Sequence, residues 1–280
     1  MNELTVEKTK ELEETARRLR VSSLRLIHRR GAGHPGGALS AAEILSVLYF
    51  HILRIDPENP NWSERDRFIL SKGHASAALY SALAMRGFFP LSELDNWGEL
   101  ECAHQGHPDR FKTPGVDMTS GLLGHGVALG CGLALAARLK GLSYRTYTLL
   151  GDGECQGGIV WEGAMTAAKY KLDTLTAILD CNGVQLDGTV DEVMPMEPMA
   201  AKWAAYGWNV IEINGHSVKE IARALKQAAA FHGKPSIVLA RTVKGKGVSF
   251  MEGKSYWHGN VPSDEQLAQA LTELGEVTHG

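Results

Sequence analysis

Gly151, Asp152 and Gly153 lie in the run YRTYTLLGDGECQGG, where a β-rich stretch gives way to a helical pattern. Glycines let a backbone approach a phosphate closely, and the N–H groups that open the following helix favour an anion there. Asp152 could then hold a divalent cation against that anion. The next β-rich run, TLTAILDCNG, ends at Asn182. Both polar residues are therefore expected at one edge of a sheet, the edge at which open α/β sheets bind ligands. An Asp carboxylate, an Asn amide oxygen and a nearby backbone carbonyl are hard oxygen ligands suited to Mg²⁺, with phosphate and water completing the octahedron. Gly-Asp-Gly alone is common in turns. Its pairing with Asn182, one helix and one strand later, makes the signal specific.

Histidine is the second chemical signal, because it donates or accepts a proton near neutral pH. Of 11 histidines, several stand beside glycine in loop-like sequence, among them His34 in GAGHPGG, His74 in LSKGHAS, His107 in QGHPD, His125 in LGHG and His258 in WHGNVP. Any one of them alone reads better as a surface or satisfied histidine; the joint pattern is what matters. Two competing phosphate motifs fail. GVSFMEGKS has five residues between Gly247 and Gly253 where a P-loop needs four, and GDGECQ lacks the third glycine of a dinucleotide fingerprint.

Elements able to position these residues are legible as periodic runs. Helical spacing of Leu12, Leu19, Leu24 and Ile27 predicts one long helix over 5–30 that ends at glycine, ahead of a GAGHPGG loop. Ser40 followed by Glu43 resembles a capping box for a second helix over 44–53. Strands are expected at 67–70, 144–150, 174–180, 209–213 and 236–240, and helices at 76–86, 126–140, 160–171, 218–231 and 264–274. Apolar strands alternating with helices imply an α/β fold, a mainly parallel sheet with helices on both faces. Segments 102–124 and 242–262, rich in Gly, Pro, His and Lys, are long for plain connections and read as functional loops.

Composition narrows the function classes. With 29 Lys and Arg against 32 Asp and Glu, the net charge of −3 gives no footprint for nucleic acid or an anionic membrane. The apolar stretch 127–137 is too short and glycine-rich to span a bilayer. Cys102, Cys131, Cys155 and Cys181 form no C-x-x-C pair, and no signal-peptide pattern precedes them, so a cytoplasmic protein is expected. Arg17 to Arg30 make the early chain basic, but Glu3, Glu7, Glu11, Glu13 and Glu14 argue against an acidic-poor transit peptide, and the segment reads as a solvated or partner-facing helix.

Taken together, GHPGG, RDRFILSKGHA, GHPD with PGVDMTSGLLGHG, GDG with Asn182, and KGKGVSFMEG followed by WHG resemble the transketolase family, in the family's order and over essentially the whole chain. The resemblance implies a thiamine-diphosphate-binding, diphosphate-type domain spanning 1–280. It implies transfer of a two-carbon ketol unit from a ketose, such as a sugar phosphate, to an aldose, with thiamine diphosphate as electron sink. The metal would be Mg²⁺, with Ca²⁺ or Mn²⁺ as substitutes, held by Asp152, Asn182 and the Val184 carbonyl. His34 and His107 would face the substrate, and His74 and His258 would lie between the diphosphate and the substrate oxygens. Gly121 and Leu123 would touch the cofactor through their backbones, as would Gly153 at the diphosphate. Two departures stand out: Gly157 occupies a usual glutamate position, although Glu162 matches a second one, and His125 replaces a usual glutamine.

The resemblance stops with the first domain of single-chain transketolases. A separate C-terminal subunit carrying the pyrimidine-binding domain is the expected partner, two copies of each chain the expected assembly, and the pentose phosphate pathway the ordinary setting. A noncatalytic homologue retaining the fold, and a split enzyme acting on an unusual ketose, are the alternatives. A different class is a zinc hydrolase built on Cys102, His104 and His107.

Overall fold

The computed structural model describes residues 4–276. The long apolar stripe near the start forms helix α1 (Val6–Arg30), which Thr5 caps and Gly31 ends in the left-handed region. Helices α2 (Pro35–Ser40) and α3 (Ala42–Val47) follow, then strand β1 (Arg67–Leu70) and α4 (Ser76–Arg86). After a long irregular segment come α5 (His125–Lys140), β2 (Thr146–Gly151), α6 (Gly158–Lys169) and β3 (Leu175–Cys181). The chain continues through α7 (Val190–Val193), α8 (Met199–Ala205), β4 (Asn209–Asn214), α9 (Val218–Ala230), β5 (Ser236–Arg241) and α10 (Asp264–Glu273).

The five strands form one parallel sheet in the order β1-β2-β3-β5-β4. Alternate side chains enter two cores. Phe68, Leu70, Tyr147, Leu149, Ile178 and Val238 pack under α1, α3, α4 and α9. Leu150, Leu175, Ala177, Leu179, Ile237 and Leu239 pack under α5, α6 and α8. Burial on both faces is why these strands read as apolar runs rather than alternating ones. No described helix is long and apolar enough to cross a membrane.

Three expectations are corrected. The GHPGG segment is not simply a loop: Pro35 stands at the first position of α2, where its missing N–H costs nothing. Ser40 and Glu43 form no capping box. The Ser40 hydroxyl donates to Asp180 Oδ2 at 2.7 Å, while Glu43 turns to Arg20 at 2.6 Å and to His216 at 3.0 Å. The second helix nonetheless forms without that cap, running on from α3 into a π-helical turn over Leu48–Ile52. Nor is α1 merely a solvated helix, since its apolar face and Arg20 are buried in the larger core.

Candidate active site

The paired ends of β2 and β3 set the geometry. Gly151 stands opposite Asp180 in the parallel register, so Asp152 and Asn182 leave the sheet side by side at its carboxyl edge. Asp152 is buried, and both its oxygens accept backbone N–H bonds, from Gly153 at 2.8 Å and Gly183 at 2.6 Å. Burial first, then the neighbouring Asp180 charge, pushes its carboxyl up to about 6 against the pull of the two N–H groups. Asn182 Nδ2 donates to Asp180 Oδ2 at 3.0 Å, which fixes the amide and leaves Oδ1 beside the Val184 N–H at 3.1 Å.

The Val184 carbonyl accepts from Lys244 Nζ at 2.9 Å, and the same ammonium lies 2.9 Å from His258 Nδ1. Lys244 comes from the loop after β5, and is held by a close approach: a Cβ on Gly36 would meet the Lys244 side chain at 2.9 Å and the Trp257 carbonyl at 2.8 Å. Burial and the nearby Lys72 lower the Lys244 ammonium to about 8. Lys72 itself is tied to Asp180 Oδ2 at 2.5 Å and to the Gly37 carbonyl at 2.8 Å.

Of the four histidines to which the resemblance gives substrate or diphosphate roles, three converge. The ring centroids of His34 and His74, His74 and His258, and His34 and His258 lie 5.1, 5.1 and 5.5 Å apart. Burial is the leading cause that lowers all three, with Lys72 acting on His74 and Lys244 on His258, which falls to about 3. They are neutral rings at physiological pH, able to donate one hydrogen bond and accept another. His107 is exposed and outside this trio, but its charge lowers His34 after burial does, and its ring packs at Gly121, where a Cβ would meet Cδ2 at 3.2 Å. Gly121 in turn presses on Gly73, next to His74. Leu123 is exposed, and Gly153 opens the short helical turn after Asp152.

Glu154, absent from the sequence-derived set, fixes the turn that carries Gly121 and Leu123. Its buried carboxylate accepts from the Ser71 hydroxyl, from the Gly124 N–H at 2.7 Å and from the Gly151 N–H at 3.0 Å. Asp180, Lys72 and Lys244 were missed for the same reason: each is a charge buried at the end or beyond the end of a strand, with partners from distant segments. Their one local signal is a charged residue directly after an apolar run, in RFILSK, LTAILD and SIVLARTVK.

At Gly157 a Cβ would meet only the Glu154 carbonyl, at 3.4 Å, so the backbone does not demand glycine there. Cys102, His104 and His107 do not converge on a metal. His104 is buried against Phe89, with ring centroids 4.1 Å apart, and its ring nitrogens face Glu93 and Thr113 at 3.3 and 3.5 Å. Among the described residues no group of three or more His, Cys, Asp and Glu is placed to hold a metal.

The donor set at the strand ends has a different chemistry, and it fits a metal diphosphate. Asp152 is a buried anion whose hydrogen-bond partners are backbone amides, and Lys244 is a buried cation whose acceptors are a carbonyl and a neutral imidazole. Buried charges of this kind are costly without a counter-charge. The Asp152, Asn182 and Val184 oxygens would hold a divalent cation and Lys244 would face a diphosphate, which together would supply such counter-charges.

A parallel α/β sheet with this edge defines a diphosphate-binding class of fold. The match to the transketolase, thiamine diphosphate binding domain family runs over residues 11–279, and the chain belongs to that family. It is 45% identical over 264 residues to the 6-deoxy-6-sulfo-D-fructose transketolase subunit SqwG of Clostridium sp. (strain MSTE9), covering 94% of this chain and 96% of that protein. It is 42% identical to an apulose-4-phosphate transketolase subunit of Phocaeicola vulgatus, covering 96% of this chain and 94% of the relative. The solved transketolase of Campylobacter jejuni superimposes with a TM-score of 0.90 at 35% identity over 99% of this chain, which spans 44% of that longer one.

Proposed function

We propose that this chain is the diphosphate- and metal-binding subunit of a two-chain transketolase, folded as one domain over 1–280 and working in the cytoplasm. The observation that carries the reading is the pair of buried charges, Asp152 and Lys244, neither of which makes a direct salt bridge among the described residues, beside the His34, His74 and His258 cluster at the carboxyl edge of the sheet. Bound thiamine diphosphate would supply the electron sink that stabilises a two-carbon fragment during ketol transfer.

The chain's own residues bind and orient. Asp152, Asn182 and the Val184 carbonyl would hold Mg²⁺, with Ca²⁺ or Mn²⁺ as substitutes, and Lys244 and the backbone at Gly153 would face the diphosphate. The backbones of Gly121 and Leu123 line the cofactor. His74 and His258 stand between diphosphate and substrate. Because Lys244 donates toward His258 Nδ1, the ring proton sits on Nε2, which makes His258 a neutral donor for a substrate oxygen. His34 and His107 face the substrate and hold or move hydroxyl protons.

Two relatives are named as subunits, which supports a separate pyrimidine-domain chain here, assembled as two copies of each. Their names also refer to a sulfonated ketose and to apulose 4-phosphate, so an unusual ketose donor is favoured over ordinary pentose phosphate traffic. Asp152→Ala and Asn182→Ala test the site: each removes a hard oxygen ligand and should abolish Mg²⁺-dependent thiamine diphosphate binding in calorimetry. Unchanged affinity in either variant removes that residue from the site.

A further inference from the structure

His216 lies outside every motif above, in the turn between β4 and α9, yet it connects the helical core to Lys244. Its position is set by a tight turn: a Cβ on Gly215 would collide with Thr242 Cγ2, and Gly215 N–H donates to the Arg241 carbonyl at 2.8 Å. The imidazole then sits between two partners. Val243 N–H donates to Nε2 at 2.8 Å, and Nδ1 lies 3.0 Å from Glu43 Oε2. A backbone amide can only donate, so Nε2 carries the lone pair and the proton is on Nδ1, given to Glu43. Glu43 is anchored in turn by the buried Arg20, whose Nη2 reaches its two oxygens at 2.7 and 2.6 Å.

Val243 directly precedes Lys244, and the next N–H, from Gly245, donates to the Gly36 carbonyl at 3.0 Å. The backbone on either side of Lys244 is thus pinned, by His216 on one side and by the GHPGG segment on the other. We propose that His216, oriented by Glu43 and Arg20, is a positioning residue that fixes Lys244 through the Val243 N–H and so sets the diphosphate end of the cofactor site. The proposal rests on the diphosphate reading of that site. Its action is indirect, since Lys244 rather than His216 reaches Val184 and His258.

Two measurements on the full chain test it. In ¹⁵N-labelled protein, two-bond ¹H–¹⁵N correlations should show His216 protonated at Nδ1 with Nε2 bare. Calorimetry with thiamine diphosphate and Mg²⁺ should give about tenfold weaker binding for His216→Phe, which keeps a ring but loses both hydrogen bonds. His216→Gln, whose amide oxygen reaches the place of Nε2, should lose less than about threefold. In a Lys244→Met background, His216→Phe should add less than about twofold, because residues acting through one another are not additive. A ring protonated at Nε2, or the full loss persisting without Lys244, would overturn the positioning role while leaving the site reading intact. Absence of Mg²⁺-dependent binding both in the wild-type chain alone and with its pyrimidine-domain partner would overturn the site reading and this proposal with it.

Discussion

A histidine that is to shuttle hydroxyl protons must reach both substrate and solvent, and His107 is the exposed member of the set. His34, His74 and His258 are held neutral mainly by burial, with lysine charge adding to it at each ring, and are suited to fixed hydrogen bonding rather than to cationic catalysis. His107→Ala is therefore expected to leave thiamine diphosphate affinity unchanged and to lower kcat about a hundredfold. Steady-state kinetics on the reconstituted enzyme check this, and wild-type turnover would remove His107 from the substrate end. At this scale the sequence was informative about polar residues flanked by glycine, because loop glycines and a Gly-Asp-Gly turn are local signals. Lys72, Asp180, Glu154 and Lys244 were not legible. Each acquires its meaning from partners tens of residues away, such as Ser40 and Thr242 on Asp180.

At the scale of elements, two buried carboxylates hold the pieces of the site together. Glu154 joins the turn after residue 121 to the end of β2 by accepting three hydrogen bonds. Glu154→Gln turns one acceptor into a donor facing donors, and should cost about 1–3 kcal/mol in denaturant unfolding. Glu43 ties α3 to α1 and to the β4–α9 turn. Its carboxyl is lowered despite burial, the largest influence, because His216 and Arg20 outweigh that penalty. A depressed folded-state carboxyl contributes stability that is fully present above its ordinary value near 4.5 and is lost as pH falls through the lower folded value. The thermal midpoint should therefore drop on acidification below about pH 4.5, and less steeply in Glu43→Gln, which starts less stable because Arg20 is left buried without its counter-charge. A parallel decline in both proteins would contradict this. The five strands were readable because two-sided burial makes apolar runs, but α7 and α8 were not: four and seven residues give too few turns for a helical period. The false capping box shows the same limit, since Ser40 spends its hydroxyl on a strand far along the chain.

At the scale of the molecule, the chain matches subunit-sized relatives nearly end to end and a solved transketolase over less than half that protein's length. In the two-chain enzyme proposed here, the charges at the carboxyl edge would bind one end of the cofactor and the other end would fall to a second polypeptide. A cofactor bridging two chains necessarily couples its own binding to their assembly. The most direct measurement is ketol transfer by the purified chain at saturating thiamine diphosphate and Mg²⁺, assayed alone and with a pyrimidine-domain chain, using a donor panel that includes 6-deoxy-6-sulfofructose and apulose 4-phosphate. The expected result is no transfer from the chain alone, and activity together with tighter cofactor binding when the second chain is added. Robust transfer by this polypeptide alone would contradict the two-chain enzyme.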